Sequence, residues 1–211
     1  MRNGIVLLCA LSVFGCAQNN TRVADTVVSS SRAATPEAAW QERQRLFASM
    51  KEWDLDGRVG LQLRGQSWSF GMKWNQQMNG QSAMEIINPL TGAVMANIQE
   101  TGSQVVLIAA DGKRYQDTNA EKLLERQLRL KFPLNDMRYW ARAVPTPDAP
   151  VEGVQLDNYG RPTRLQQSGW VIDYSAYENK GPNALPTRMT LEKAAERAKA
   201  KVVAKKWQTR F

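Results

Sequence analysis

The chain has 211 residues, enough for one domain with a sizeable core plus a terminal extension, and it contains no histidine. The missing histidine excludes Ser-His-Asp and Cys-His catalysis and most zinc sites, and both cysteines, Cys9 and Cys16, lie near the N-terminus, so the remainder lacks disulfides and thiolate ligands. The 28 basic and 20 acidic side chains give a net charge of +8, which suits an anionic lipid surface or an acidic partner as well as nucleic acid.

The N-terminus predicts an export signal. A basic start at Arg2 precedes the apolar run Gly4–Phe14, which is too short to span a bilayer as a mature helix and is typical of a signal-peptide core. The run leads into Gly15-Cys16, and a small residue directly before a cysteine resembles the bacterial lipobox, whose cysteine is acylated. We expect residues 1–15 to be a lipoprotein signal peptide and Cys16 to carry the lipid. An ordinary secretory signal with an incidental cysteine is the alternative.

A tether and an amphipathic helix follow. Ala17 stands where an inner-membrane retention signal would carry aspartate, so the resemblance favours the outer membrane. Residues 16–34 are rich in Ser, Thr, Asn and Ala, which predicts a flexible tether, and residues 35–211 are expected to form the folded domain. Thr35-Pro36-Glu37 predicts a helix start with a hydroxyl cap, a proline in the first turn and an acid near the positive end of the dipole; the helix is expected to reach Lys51. Its apolar stripe, expected to pack on a sheet, consists of Trp40, Leu46, Phe47, Met50 and Trp53.

Alternating apolar and polar residues then predict a long series of strands. Hairpin signals such as Asn79-Gly80 and Asp111-Gly112 divide them. Consecutive hairpins of this kind build an antiparallel meander, which curls to hide its apolar face. The predicted strands cover residues 55–63, 67–74, 82–87, 93–99, 104–110 and 113–115.

Two helical segments interrupt the meander. The first, Thr118–Leu130, opens with Thr118 and Glu121 at the spacing of a capping box. The second begins at Pro133 and keeps its apolar residues at helical spacing as far as Val144, after which prolines are expected to stop it.

The C-terminal part mixes strand and helix signals. Because of Pro186, the segment 185–191 is predicted to be either an edge strand or the start of a strand. By propensity alone, Glu192–Lys206 is a helix, since it is rich in Ala, Lys and Glu. The strands predicted before this part cover residues 154–156, 163–167 and 170–174.

The turn Asn88-Pro89-Leu90-Thr91-Gly92 places a leucine among turn-forming residues. Proline fixes φ and lacks a donor, and glycine accepts a positive φ, so this segment is expected to turn between two strands. Leu90 at its tip either folds back under its own hairpin or stays exposed as an apolar finger. In a membrane-tethered protein, an exposed finger would touch the membrane.

A set of motifs recurs in a fixed order behind the lipobox. They are Asp56-Gly57-Arg58, the paired Trp68 and Trp74, Asn88-Pro89-Leu90, Pro133-Leu134-Asn135 followed by Arg138 and Trp140, Gln167-Ser168-Gly169-Trp170 leading to Tyr174 and Tyr177, Leu185-Pro186, and Trp207. In this order and spacing they resemble the LolB family, the outer-membrane receptors of the Gram-negative lipoprotein-localisation pathway. Two features depart from the family pattern: Thr91 stands before Gly92, and Ala141-Arg142-Ala143 follows the helix of Trp140 where glycine is common. Both bear on loop shape more than on function.

The resemblance implies a mainly β fold with helices, of the α+β class. It is an incomplete, strongly curved antiparallel β-barrel with an α-helical lid over an apolar cavity. In that fold Glu192–Lys206 is a tight turn near Ala194-Ala195 followed by a strand that ends at Trp207. The residues expected to line the cavity are Leu61, Leu63, Trp68, Phe70, Met72, Trp74, Met84, Ile86 and Leu107, with Met137 and Trp140 in the lid. A filled core made of the same residues is the alternative.

The implied function is transport of lipoproteins rather than catalysis. The protein would accept triacylated lipoproteins from the periplasmic carrier LolA and place them in outer-membrane lipid, anchored by Cys16 at the periplasmic face. The resemblance makes Leu90 an exposed membrane-insertion residue and implies a monomer without cofactor, metal or nucleic acid. The chain also lacks a Gly-rich loop followed by Lys-Ser or Lys-Thr, so no nucleotide is expected to drive transfer.

Three other classes of protein compete with this hypothesis. A lipid-anchored protein that binds another apolar small ligand in a lipocalin-like cavity would need no exposed Leu90. A structural envelope lipoprotein would have a packed core and no cavity. An enzyme is the least favoured class, because carboxylates such as Asp54 and Asp56, two apart on one strand, are usually solvated charges.

Overall fold

A sheet of eleven antiparallel strands forms the framework of residues 35–210, the part of the chain that this computed structural model describes. The predicted signal peptide, the lipidation site Cys16 and the predicted tether lie outside the described residues. Between residues 35 and 210, no helix is both long enough and apolar enough to cross a membrane.

Three helices and one short 3₁₀ turn accompany the strands in this range. The helices are α1 (Pro36–Ser49), α2 (Ala120–Leu128) and α3 (Leu134–Trp140), and the 3₁₀ turn is Ala194–Glu196. The strands are β1 (Glu52–Leu63), β2 (Gln66–Gln76), β3 (Ser82–Ile87), β4 (Val94–Thr101), β5 (Gln104–Ala109), β6 (Arg114–Asp117), β7 (Val151–Leu156), β8 (Pro162–Gln167), β9 (Trp170–Tyr177), β10 (Pro186–Lys193) and β11 (Ala198–Arg210). Their order in the sheet is β6-β5-β4-β3-β2-β1-β11-β10-β9-β8-β7, so β6 and β7 form the edges.

One face of the sheet is apolar across its width. In β1, Leu55 and Leu61 are buried, whereas Arg58 is exposed on the opposite face. Antiparallel pairing carries this pattern sideways, because Leu61 lies opposite Trp68 in β2 and Ala200 in β11. Buried residues of the helices join the same core cluster. The predicted fold, a curved antiparallel sheet with a helical cover, is therefore confirmed.

The start of α1 follows the predicted capping. Thr35 Oγ1 accepts a hydrogen bond from the Ala38 N–H at 3.2 Å, and Pro36 occupies the first turn. This turn of the helix lies on Gly160, where an added Cβ would come within 2.5 Å of Ala39 Cβ and 2.6 Å of Pro36 O. A side chain at position 160 would collide with the helix, so the β7–β8 turn packs tightly against the first turns of α1.

The cap of α2 differs from the prediction. Asn119 caps the helix, since its Oδ1 accepts a hydrogen bond from the Lys122 N–H at 3.0 Å. The capping box at Thr118 is therefore wrong. The reason is local: Asp117 Oδ1 accepts a bond from the Thr118 N–H at 2.7 Å, which holds that residue in the turn before the helix. Glu121 instead accepts a bond from the Asn135 N–H at 2.9 Å and joins α2 to α3.

The predicted extension of α3 to Val144 is also wrong. The helix ends at Trp140, and Ala143 adopts a left-handed conformation with φ 54°. The Val144 N–H turns back and donates to Tyr139 O at 3.3 Å. This reversal gives a partner to a carbonyl group at the helix end, so the chain leaves the helix before Pro145.

The C-terminal segment forms strands. The 3₁₀ turn at Ala194–Glu196 leads into β11, so the strand prediction for Glu192–Lys206 is confirmed against its helix propensity. Pro186 begins β10, which confirms the start of a strand, but β10 pairs with both β9 and β11 and the edge-strand alternative is wrong. Proline is tolerated here because it is the first residue of the strand.

Candidate functional site

The inner face of the sheet brings the predicted cavity residues together. The fully or almost fully buried members are Leu61, Phe70, Met72, Trp74, Met84, Ile86 and Leu107. Leu63 and Trp68, at the end of the β1–β2 hairpin, are half-buried and pack against the same cluster. These residues therefore share one surface, and their binding of acyl chains stays a prediction.

A lid formed by residues 120–144 covers this inner face. The two predicted lid residues, Met137 and Trp140, are completely buried. Phe132, between α2 and α3, has its ring centroid 6.4 Å from that of Phe70 in an edge-on arrangement. The Trp140 ring lies 6.2 Å from that of Trp170. In this closed arrangement the side chains of the lid themselves pack against the apolar face of the sheet.

Buried hydrogen bonds to Gln167 hold the C-terminal end of the lid. Trp140 Nε1 and the Thr146 N–H both donate to Gln167 Oε1 at 2.9 Å. Gln167 Nε2 in turn donates to Thr146 O at 2.8 Å and to Ala149 O at 2.7 Å. The Tyr174 hydroxyl donates to Trp140 O at 2.9 Å, and burial raises the pKa of Tyr174, so this donor keeps its proton. Every polar group of the Gln167 side chain thus has a partner.

Two buried arginines tie α1 to the chain that follows α3. The Arg43 guanidinium donates to four carbonyl oxygens at 2.7–3.2 Å: those of Arg142, Ala143, Pro182 and Ala184. Arg142 Nη1 donates to Phe47 O at 2.8 Å and to Met50 O at 3.2 Å, where α1 ends. Burial lowers the pKa of each arginine to about 10. Positive charge at the carbonyl ends of helices is favourable, so these contacts join α1 and the lid.

Two ion pairs add to the attachment of the lid. Arg138 in α3 pairs with Glu100 in β4, and its guanidinium lies 5.9 Å from the centroid of the Trp74 ring. Lys131, between α2 and α3, pairs with Glu196 of the 3₁₀ turn at 2.6 Å. The Lys131–Glu196 pair is partly exposed, and ion pairs at the surface contribute about 0–1 kcal/mol each. The polar contact that holds the segment between α2 and α3 is therefore weaker than the buried hydrogen bonds at Gln167.

A recess of about 310 Å³ opens beside the Lys131–Glu196 pair. Its apolar walls are Leu63, Phe132, Trp170 and Ala198, and its charged walls include Glu121, Glu125, Lys131, Asp136, Lys193 and Glu196. Burial raises the pKa of Glu121 and of Asp136. No group of three or more acidic, Cys or His side chains among the described residues is arranged to hold a metal ion. The recess thus joins a charged rim to the end of the apolar inner face.

The Leu90 turn projects an apolar side chain into solvent. Leu90 is 94% exposed. Asn88 Oδ1 accepts hydrogen bonds from the N–H groups of Leu90 at 2.9 Å and Thr91 at 3.2 Å, and the Gly92 N–H donates to Asn88 O at 2.9 Å. Thr91 Oγ1 accepts from the Ala93 N–H at 3.3 Å, so the residue that departs from the family pattern helps to fix the turn. The leucine is not folded under its hairpin, and its contact with membrane stays a prediction.

The sequence interpretation missed the roles of Arg43 and Gln167, although both carry a signal. Arg43 stands in the apolar stripe of α1, between Trp40 and Phe47. Gln167 has the inward phase of β8, two residues after the buried Leu165. A polar side chain at a core position predicts buried hydrogen-bond partners, because few such groups stay unpaired.

Comparison with known proteins places these features in a family. The family model described as "Outer membrane lipoprotein LolB" matches residues 51–207. The Outer-membrane lipoprotein LolB of Pseudomonas syringae pv. syringae (strain B728a) is 30% identical over 210 residues, covering 100% of this chain and 97% of the relative. That of Nitrosococcus oceani is 29% identical over 191 residues, covering 90% of each chain.

A solved structure shares the fold at low sequence identity. The crystal structure of a DUF1329 family protein from Desulfovibrio piger superimposes with a TM-score of 0.55 at 9% identity. The match covers 83% of this chain and 94% of that one. This likeness concerns the fold alone.

Proposed function

Because the chain belongs to the LolB family of outer-membrane lipoproteins, we propose that it accepts acylated lipoproteins from a LolA-type periplasmic carrier and inserts them into the outer membrane without nucleotide. Residues 1–15 direct export, the acyl chains on Cys16 anchor the mature protein, and residues 16–34 tether the lipoprotein-binding domain, 35–211. Several acyl chains give stable anchoring, since a single chain binds a membrane only marginally. The domain works as a monomer.

The apolar inner face under a helical lid is the observation that supports this proposal. Acyl chains leave water readily for such a surface, with about 0.8 kcal/mol gained for each buried CH₂. The recess of about 310 Å³ is the part of this surface open in the closed structure. Sites for single drug-sized ligands have about 300–1,000 Å³. A triacylated lipoprotein is larger, so the lid must move to admit it.

The attachments of the lid determine how it opens. Its C-terminal end is held by the buried hydrogen bonds of Gln167 and Arg43, and leaving a buried polar group unpaired costs about 1–3 kcal/mol. The segment between α2 and α3 is held by the partly exposed Lys131–Glu196 pair, which solvent can replace. The lid therefore swings from the Gln167 end and separates from the sheet beside the recess, where acyl chains enter.

The size of the cargo limits how much of it the protein buries. A triacylated cysteine carries roughly 40 CH₂ groups, and complete burial would exceed the ceiling of about 20 kcal/mol for non-covalent affinity. The domain therefore shelters the chains in part. The bilayer buries the acyl chains fully, so their transfer from this protein to the membrane is favourable. For the earlier transfer from the carrier to this protein, a modest difference in affinity is enough.

Transfer between soluble proteins tests the receptor function. The chain from Ala17 to Phe211, without the predicted signal and the lipidated cysteine, is mixed with a LolA-type carrier that holds a labelled triacylated lipoprotein. We expect the label to co-purify with this protein in the absence of nucleotide and membrane. Label that stays on the carrier, while circular dichroism shows this chain folded, would refute the proposal.

Leu90 acts in the second step, insertion into the membrane. Leu90 is exposed on a turn that hydrogen bonds hold in place, so its side chain can enter the membrane interface. A glutamate at that position would lose its hydration there. We expect Leu90→Glu to accept cargo normally and to lose its release into vesicles. Met78→Glu is the matched control, because Met78 is also exposed, at 66%, on the β2–β3 turn at the opposite end of the sheet. Equal release by both variants would exclude this role of Leu90.

A further inference from the structure

The exposed apolar surface at the Leu90 turn continues onto β4. At the start of β4 a bulge sets two residues, Val94 and Met95, opposite Ile87 of β3. Val94 is 44% exposed and Met95 is 40% exposed. Bulges of this kind re-aim side chains at a sheet boundary. Leu90 is therefore the tip of a larger apolar surface, rather than an isolated exposed leucine.

Cross-strand pairing links this surface to a row of residues on the outer face that includes two cations. Ile87 pairs with Gly71 of β2, Gly71 with Arg58 of β1, Arg58 with Val203 of β11, and Val203 with Arg188 of β10. Neighbouring strands are about 4.8 Å apart, so the row from Ile87 to Arg188 spans about 19 Å. At Gly71 the Ile87 side chain lies across the strand, since an added Cβ would be 3.3 Å from Ile87 Cβ.

The cations of this row are exposed and free of ion pairs. Lys201, which faces outward beside Gly60, adds a third positive charge to those of Arg58 and Arg188. In the described part of the chain, no ion pair includes any of the three. The acids of β1, Asp54 and Asp56, lie further from the Leu90 end of the strand. Positive potential on the outer face is therefore concentrated at the end that carries Leu90.

We propose that Leu90, Val94 and Met95, together with Arg58, Arg188 and Lys201, form one docking surface for an anionic lipid bilayer. The inference rests on the proposed function, since it concerns how the domain meets the membrane during insertion. The apolar side chains enter the interface, and the guanidinium and ammonium groups bind lipid phosphates. The cations lie from about 10 Å (Arg58) to about 19 Å (Arg188) across the strands from Ile87, and contacts spread over this distance fix the orientation of the domain, which a single leucine cannot do.

Binding of the unlipidated chain, Ala17–Phe211, to vesicles tests the docking surface. The vesicles consist of phosphatidylcholine alone or mixed with phosphatidylglycerol, and binding is measured by flotation. A basic side chain near an anionic surface contributes about 1 kcal/mol, or about fivefold in affinity. We expect the double variant Arg58→Gln, Arg188→Gln to bind the anionic vesicles about 25-fold more weakly at low salt, and this difference to shrink at high salt.

The apolar part and the controls use the same assay. We expect Val94→Ser with Met95→Ser to weaken binding to both kinds of vesicle, because apolar burial does not depend on lipid charge. Lys180→Gln and Met78→Ser, which change exposed residues in loops at the opposite end of the sheet, should bind as the unchanged chain does. All of these side chains face solvent, and circular dichroism checks that the variants fold.

Two results would overturn the docking surface. One is vesicle binding by the two double variants that equals that of the controls. The other is unchanged vesicle binding by the Arg58→Gln, Arg188→Gln variant together with slower uptake of cargo from the carrier, which would assign Arg58 and Arg188 to an acidic protein partner. If the unsubstituted chain fails to take up cargo from the carrier but binds vesicles, the receptor function is refuted and the docking surface stands.

Discussion

Replacing Gln167 by leucine tests whether buried hydrogen bonds hold one end of the lid. Leucine is similar in size but neither donates nor accepts. Gln167→Leu would remove the acceptor Oε1, to which Trp140 Nε1 and the Thr146 N–H each donate at 2.9 Å. It would also remove the donor to Thr146 O and Ala149 O.

The expected loss of stability follows from the burial of these groups. A buried polar group left unpaired costs about 1–3 kcal/mol. Trp140 and Thr146 are buried, whereas Ala149 is half-buried and its carbonyl can take up water. Three fully buried groups at the lower limit give about 3 kcal/mol. This is a large part of the free energy of unfolding of a typical domain, about 5–15 kcal/mol.

Urea unfolding, followed by tryptophan fluorescence and by circular dichroism, measures this loss. We expect a lower midpoint with an unchanged slope, since the surface exposed on unfolding stays the same. Gln166→Leu is the matched control: Gln166 precedes Gln167, lies half-exposed on the outer face, and should change stability by about 0.5 kcal/mol or less. A Gln167→Leu chain as stable as this control would refute the view that these bonds hold the lid.

Three further predictions concern α1, the recess and the turn. Gly160→Ala should destabilise the fold by about 3 kcal/mol or more, against about 1 kcal/mol for Gly92→Ala. Both glycines have positive φ, but only at Gly160 would the Cβ meet α1, and equal losses in thermal unfolding would contradict this. Burial raises the pKa of Glu121, so the folded chain binds this proton more tightly than the unfolded one; the resulting stability is present below the unfolded pKa and is lost as pH rises through the folded pKa. Glu121→Gln should therefore stabilise the protein at neutral pH, with the gain disappearing in acid, and a pH-independent gain in urea midpoint would exclude burial as the cause. Leu90→Glu should block release into vesicles after normal uptake, as measured by flotation of the labelled cargo.

The strands could be predicted closely because their signal is periodic. The predicted strand 82–87 coincides with β3, and the alternation in β1 and β2 identifies the residues that face inward. In β11 helix propensity and strand period disagree, and packing decides the outcome. Ala200 and Val202 are buried against β1 and β10, while Lys201 between them faces water. Propensity differences are small per residue, so burial of one face outweighs them.

Helix ends were predicted less well, because they depend on single hydrogen bonds. Thr118 and Asn119 are both acceptable caps by type, and the choice between them is made by the Asp117 carboxylate, which bonds the Thr118 N–H. The attachment of the lid also depends on individual hydrogen bonds. Gln167 stands at an inward position, which predicts a buried partner, but its bonds to Trp140 and Thr146 join segments far apart in sequence and have no local pattern.

Whether the inner face is filled or empty has no signal in the sequence, since it depends on where the lid lies. In the structure Phe132, Met137 and Trp140 are buried in the core on the inner face, which we propose binds acyl chains. An acyl chain that enters therefore replaces contacts with the lid as well as contacts with water. The gain for each CH₂ is then below the roughly 0.8 kcal/mol of transfer from water to an apolar medium. A receptor that covers its own apolar surface holds cargo less tightly than the number of CH₂ groups suggests, and weak holding is what release to a bilayer requires.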